Sequence, residues 1–201
     1  MLTPKQADDI LAQGLAMNFG RWGEHCRSAG ENARRIAAHV PGMDPDTAYV
    51  LALLHDIGRR AGNREILHIF DGYEYMMDLG QPDIARVCLT HSFPVKSADF
   101  YSGPYDCSPE QLDFLRRYLA DIEYDDYDLL VQLCDAVSLP NGACIMEKRL
   151  LDVSLRYGLP DCTLDRWRAF LMLKKRFDAL CGQSVYDLLP NVLENSYVDL
   201  I

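Results

Sequence analysis

Apolar residues fall in a helical rhythm along nearly the whole chain. Trp22, Cys26, Ala29, Ala33, Ile36 and Val40 recur at intervals of three and four, which places them on one buried face of a helix. Thr3-Pro4 has the hydroxyl-then-proline order of a helix start and predicts a first helix to about Met17. Pro41-Gly42 ends the second helix. A third runs from about Pro45 through the unbroken apolar run Ala48 to Leu54, continues into His55-Asp56 and stops at Gly58. The same periodicity predicts helices at about 65–79, 82–92, 109–122, 125–138, 143–157 and 163–181. Strand signals are nearly absent, and no repeat or interdomain linker interrupts the pattern. The reading is all-α: one compact helical bundle over residues 1–201, with a core at about 20–140 and further helices at about 141–201. The one long irregular stretch is Ser92 to Ser108, SFPVKSADFYSGPYDCS. A connection of that length in a compact domain is functional or disordered, and Phe93, Phe100, Tyr101 and Tyr105 favour an ordered loop.

Composition changes this picture little but narrows the partners. Hydrophobic residues make up 49% and charged residues 25%, the proportions of an ordinary globular protein. No apolar run reaches the roughly 18 residues of a membrane span. The opening MLTPKQADDILAQ has neither the basic start nor the apolar stretch of a signal peptide, so the expected location is cytoplasmic. A net charge of −10 opposes binding to a nucleic acid polymer or an anionic membrane surface. A small anionic substrate stays compatible with it if positive charge is concentrated locally. Seven cysteines, without a CxxC pair, read as reduced core thiols rather than disulfides or a zinc knuckle.

Candidate chemistry enters with the five histidines and two aspartates in apolar settings. His25 borders the buried stripe of its helix, three after Trp22 and four before Ala29. His55 and Asp56 end the most apolar helix. His68 opens a helix with Gly72 at i+4, where a bare backbone permits close approach of another element. His91 ends PDIARVCLTH, and Asp135 lies in LLVQLCDAVSL with no opposite charge nearby in sequence. Each alone has an ordinary explanation as a capping or hydrogen-bonded core group, and His39 at the end of RRIAAHV needs nothing more. Together they would converge several imidazoles and two carboxylates in one core with few buried cations. A divalent metal resolves that electrostatic problem, since it takes up both lone pairs and charge. Adjacent helical residues point about 100° apart, so His55 and Asp56 share a site most easily at a helix end, which Gly58 would supply.

The order His25, His55-Asp56, Asp135 resembles the H…HD…D signature of the HD superfamily of metal-dependent phosphohydrolases, over about residues 20–140. His55-Asp56-Ile57-Gly58 is its HDIG form. The resemblance implies His25, His55, Asp56 and Asp135 as ligands of one metal. His68 and His91 look like the additional histidines of binuclear members, in which the aspartate corresponding to Asp56 bridges two ions. In a mononuclear site, His68 and His91 would instead contact substrate. The HD-GYP subgroup fits poorly, because His91 is followed by Ser92-Phe93 and the Gly72-Tyr73 pair is misplaced and lacks the proline.

Positive charge near the site is the remaining requirement. Arg59, Arg60 and Arg64 follow the HD pair, and Lys96 follows His91 by five. Arg59 is the one singled out, because binuclear relatives often carry a basic residue there, and its fork suits phosphate. Lys148, Arg149, Lys174, Lys175 and Arg176 read as a solvated face on packing helices. The expected function is hydrolysis of a phosphomonoester or phosphodiester of a nucleotide or other small phosphorylated metabolite. Asp56 would position the attacking water, and Arg59 and Lys96 would stabilise charge in the transition state. The mixed nitrogen and oxygen ligands favour one or two Mn, Fe, Co or Ni ions over Mg. A homodimer is compatible with this reading. The competing one is a catalytically idle, metal-stabilised sensor that binds a nucleotide.

Overall fold

The computed structural model describes residues 1–197. Helix α1 (Pro4–Met17) begins at a capping box in which Thr3 and Gln6 satisfy each other's exposed backbone N–H groups. Helix α2 (Trp22–Ala37) carries the predicted stripe, with Cys26, Ala29, Ala33 and Ile36 all fully buried. Helix α3 (Pro45–Leu54), capped by the Asp44 side chain on the Thr47 N–H, is the centre of the bundle. It is buried on every side from Ala48 to Leu54 because α2, α1, α5 (Pro82–Thr90) and α7 (Asp126–Ala136) surround it. An apolar run without a polar face is what such a position requires.

Helix α4 (Leu67–Asp78) packs on α5, and α6 (Pro109–Asp121) closes a smaller core of Ile66, Phe70, Phe93, Leu115 and Leu119. The long loop is ordered around this second core, as its aromatics predict. Phe93 is fully buried, Tyr101 lies 6.2 Å from it ring to ring, and Tyr105 donates to the Ala98 carbonyl at 2.8 Å. Asp106 accepts from the N–H groups of Glu65 and Leu67 at 2.9 and 2.8 Å, so the loop caps the start of α4.

After α7 comes a two-stranded antiparallel hairpin, β1 (Ser138–Leu139) and β2 (Gly142–Ala143), with Ser138 opposite Ala143. The rhythm of the sequence missed it, since two residues are too few to show alternation. The remaining helices are α8 (Met146–Tyr157), α9 (Thr163–Cys181), α10 (Val185–Leu188) and α11 (Val192–Ser196). Phe170 and Phe177 of α9 enter the same core as Leu130 and Leu133 of α7. All seven cysteines are free, with Cys26, Cys88, Cys134 and Cys144 buried and the other three partly exposed. Among the described residues, no helix is long and apolar enough to cross a membrane.

The expected end of the third helix needs correction. The α-helix stops at Leu54, and a 3-10 turn follows at Ile57–Ala61. Gly58 lies inside that turn, and its role is close approach rather than termination. A Cβ there would lie 1.9 Å from the His68 carbonyl oxygen and 2.5 Å from the Gly72 nitrogen. Gly72 returns the contact, with its own Cβ position 3.2 Å from the Gly58 nitrogen. Two bare backbones thus press the HD turn onto α4, the approach expected for Gly72.

Candidate metal centre

Five short pieces of backbone deliver the histidines and aspartates to one place. His25 comes from the first turn of α2, and Asp135 from the last turn of α7. His55 caps the C-terminus of α3, and Asp56 follows in a conformation between helix and turn, φ −104° and ψ 15°. The change of path at Asp56 lets two consecutive side chains face one space. His68 lies in the first turn of α4, and His91 caps the end of α5. His55, Asp56, His68 and His91 are at most 5% exposed.

The imidazoles are oriented from behind. Nδ1 of His55 donates to the Ala52 carbonyl at 2.6 Å, and Nδ1 of His91 to those of Val87 and Cys88 at 3.1 and 3.0 Å. Nδ1 of His68 is bonded to the Glu65 carbonyl. A carbonyl can only accept, so Nδ1 carries a proton in all three rings, and in the neutral tautomer this selects, Nε2 presents a lone pair. Those lone pairs meet other acceptors. Nε2 of His68 lies 3.0 Å from Oδ1 of Asp56 and 3.4 Å from Nε2 of His91, and Nε2 of His91 lies 3.6 Å from the same Oδ1. On the other side, Oδ1 of Asp135 is 3.0 Å from Nε2 of His25 and 3.8 Å from Nε2 of His55. Nε2 of His55 and Oδ1 of Asp56 are buried with no hydrogen-bond partner.

A buried set of acceptors turned toward one another is repulsive unless a cation lies among them. Imidazole and carboxylate are the donors a divalent transition metal takes, and the carbonyl bonds behind the rings are the usual support of such ligands. Two sets have the required proximity: His25, His55 and Asp135, and His55, Asp56 and His91. His68 joins the second through its contacts with Asp56 and His91. The residues present fit a metal.

The ionisation of the cluster agrees. Burial opposes the charge of Asp56, but Arg59, His68 and His55 outweigh it and hold the carboxyl well below its ordinary range. Asp135 is likewise held low against burial, by His25, His55 and Arg149. Burial pushes His25 down, and burial together with His55 pushes His91 down to about 3. Both rings are therefore neutral and ready to ligate at ordinary pH.

The HD domain family model matches residues 22–139. The chain belongs to the HD domain family. HD domains are of the metal-dependent phosphohydrolase type, and the matched span runs from the start of α2 through β1, carrying all six candidate ligands. No curated protein and no solved structure matches the chain.

The basic residues fare differently from the ligands. Arg59 is at the site: its Nε donates to Oδ2 of Asp56 at 2.5 Å, and Nη1 donates to the Arg64 carbonyl. Lys96 is not. Its Nζ is tied to the Ile122 carbonyl and to Glu123, both at 3.0 Å, which turns it away from the cavity over the cluster. Lys96, expected to stabilise charge in a transition state, lies outside the lining of the cavity over the cluster. Arg60 stacks on Tyr75, Arg64 pairs with Asp71, and His39 bonds the Arg35 carbonyl of α2.

The largest departure is in the C-terminal helices. Lys148 and Arg149, expected on a solvated face, are buried or nearly so and line the cavity, as do Arg156 and Arg166. Arg149 approaches Asp135 to 4.0 Å. Sequence reasoning also missed the groups that hold the ligand-bearing helices in place. Asp128, 1% exposed, takes a forked pair from Arg86, and Gln132 donates to the Thr90 and Phe93 carbonyls on either side of His91. Asn32 bonds Ser138 at 2.9 Å, tying the His25 helix to the strand that follows Asp135. Asp128 and Gln132 lie seven and three residues before Asp135, on a helix of otherwise apolar character, which was the available signal.

Proposed function

We propose that this HD domain hydrolyses a phosphomonoester or phosphodiester of a nucleotide or other small phosphorylated metabolite, using two metal sites. The observation that carries the reading is the convergence of imidazole Nε2 atoms on the buried Asp56 and the half-buried Asp135, with Nε2 of His55 and Oδ1 of Asp56 orphaned. His25, His55 and Asp135 would hold one ion and His68, His91 and Asp56 a second, Asp56 lying between them with Oδ1 toward His68 and Oδ2 toward His55 and Arg59. Divalent metal at such a site lowers the pKa of water and draws charge from phosphoryl oxygens.

The protein's own residues do the rest. Asp56 stays ionised because Arg59 sits against it, so it accepts rather than donates a proton. Arg59 makes no further bond through Nη2 among the described residues, which leaves that N–H pair for an oxygen of the phosphoryl group. Tyr101, pushed above its ordinary range by burial, lines the same cavity and stays a neutral hydroxyl. The cavity of about 750 Å³ is of the size that encloses a metabolite rather than a polymer.

The test is turnover of p-nitrophenyl phosphate and its diester by protein loaded in turn with manganese, iron, cobalt and nickel. Activity abolished by chelation, and reduced at least about a hundredfold in Asp56→Asn, is the expected result. Stoichiometric metal with no turnover of any phosphoester would favour the idle sensor instead.

A further inference from the structure

A protein carrying ten net negative charges lines one cavity with six cations: Arg21, Arg59, Lys148, Arg149, Arg156 and Arg166. Among the described residues the carboxylates lining it are Asp56, Asp135 and Asp152, and the first two belong to the candidate metal cluster. Arg59 serves that cluster from one side. The helices beyond the matched family span supply the opposite wall, and two of their arginines, Arg149 and Arg166, each keep a buried Nε without a hydrogen-bond partner.

Arg166, in the first turn of α9, is 9% exposed. Its guanidinium forms no ion pair among the described residues, its Nε is buried without a hydrogen-bond partner, and its Cζ lies 5.8 Å from the Phe170 ring centroid. Burial pushes its pKa down from the ordinary arginine range, and the like charge of Arg149 acts in the same direction. A desolvated, unpaired guanidinium is among the costlier features a fold can keep. Arg149 on α8 shares the wall. Asp152 holds its Nη1 at 3.1 Å, its Nη2 reaches to 4.0 Å of Asp135, and its Nε is also buried and unpartnered. Two forked cations with unused N–H groups, facing one cavity from adjacent helices, match a dianionic group with several acceptor oxygens.

We propose that Arg166 and Arg149 form a subsite for a second phosphoryl group of the substrate, one that is bound but not hydrolysed. The substrate class is then a bisphosphorylated or polyphosphorylated small molecule. Its reacting phosphoryl group lies at the cluster of Asp56 and Asp135, and its distal one lies against α8 and α9. This rests on the hydrolase reading for the position of the first group alone. A cavity of about 750 Å³ has room for both groups and the organic part between them.

The experiment is calorimetric titration of manganese-loaded protein with propyl phosphate and with alkanediol bisphosphates from ethanediol to hexanediol. Wild-type protein should bind at least one bisphosphate about ten- to a hundredfold more tightly than propyl phosphate, the scale of charge-assisted hydrogen bonds. Arg166→Met should lose that advantage, and Arg166→Lys should keep part of it. Arg166→Met is expected to fold, because an apolar side chain replaces an unpaired buried charge; a thermal midpoint at or above the wild-type value checks this. No bisphosphate better than propyl phosphate by more than about threefold, or an undiminished advantage in Arg166→Met, would overturn the proposal. So would a second orthophosphate binding independently with no gain from tethering. Failure of the hydrolase reading shows separately, as affinity for propyl phosphate that is indifferent to manganese.

Discussion

Removing metal from this protein should cost it much of its stability, and the structure gives the scale. Nε2 of His55 and Oδ1 of Asp56 are buried without partners, and further imidazole lone pairs face carboxylate oxygens at 3.0 to 3.8 Å. Each unsatisfied buried group costs about 1–3 kcal/mol, so the two orphaned atoms alone represent about 2–6 kcal/mol that a cation would recover. Mass action gives a matching figure. An ion present at about a thousand times its dissociation constant stabilises the folded state by about 4 kcal/mol. For a chain of 201 residues, each kcal/mol moves the thermal midpoint by about 2–4 °C. Stripping one tight ion should lower it by about 8–16 °C, and readdition of manganese or iron should restore it. Scanning calorimetry of chelated, reconstituted and Asp135→Ala protein in one buffer reads this directly. Asp135→Ala should respond little to chelation at the site it shares with His25 and His55. If chelated and reconstituted wild-type protein melt together, the cluster is an ordinary polar core, and the physical argument for a metal site fails.

Gly58→Ala should destabilise the fold by about 2–4 kcal/mol or prevent it, since a methyl at 1.9 Å from the His68 carbonyl forces the HD turn off α4; urea denaturation checks this, and a loss under about 0.5 kcal/mol would mean the approach is not tight. Metal-free protein should lose stability on acidification below the ordinary histidine range. The folded pKa of His91 is depressed from 6.5 to about 3, so between those values the unfolded chain binds the extra proton and stability falls as pH falls. At about 1.4 kcal/mol per pH unit the full window is worth on the order of 5 kcal/mol, and the depressed Asp56 and Asp135 add loss in the same direction below about 3.8. A flat stability profile from pH 7 to 4 would contradict it. His68→Ala and His91→Ala should each lower bound metal from about two equivalents to one by elemental analysis, whereas His25→Ala disturbs the other ion. Unchanged stoichiometry in both would place the second ion elsewhere.

What the sequence disclosed and what it hid divide along physical lines. Helical rhythm is local, so α1 to α9 could be read from spacing, and the all-buried α3 from its lack of a polar face. The ligand cluster was legible because histidine and aspartate in apolar helices are conspicuous against hydrophobic neighbours. Three things were not legible. The sequence marks Gly58 as a helix stop, because a glycine needed for backbone contact looks the same in one dimension as one needed for a turn. Lys96 was read as a site cation from its distance along the chain to His91, yet Glu123 and the Ile122 carbonyl hold it elsewhere.

The third failure bears most on function. Lys148 and Arg149 sit in a charged, amphipathic segment, and such a segment alone reads as solvent-facing. Packing of α8 and of α9 against α7 turns these side chains, with Arg166, toward the cavity. The family span supplies the candidate ligands and Arg59, which is chemistry any phosphoryl group could use. Discrimination among phosphorylated molecules needs groups that differ from one substrate to another, and the cavity cation without an ion pair among the described residues, Arg166, lies on a helix after residue 139. The −10 net charge sharpens the point. Exposed carboxylates spread over the surface repel anions at long range, and only a local surplus of positive charge in a low-dielectric cavity reverses that. The protein concentrates that surplus in the wall formed by α8 and α9, where the proposed distal phosphoryl group would sit.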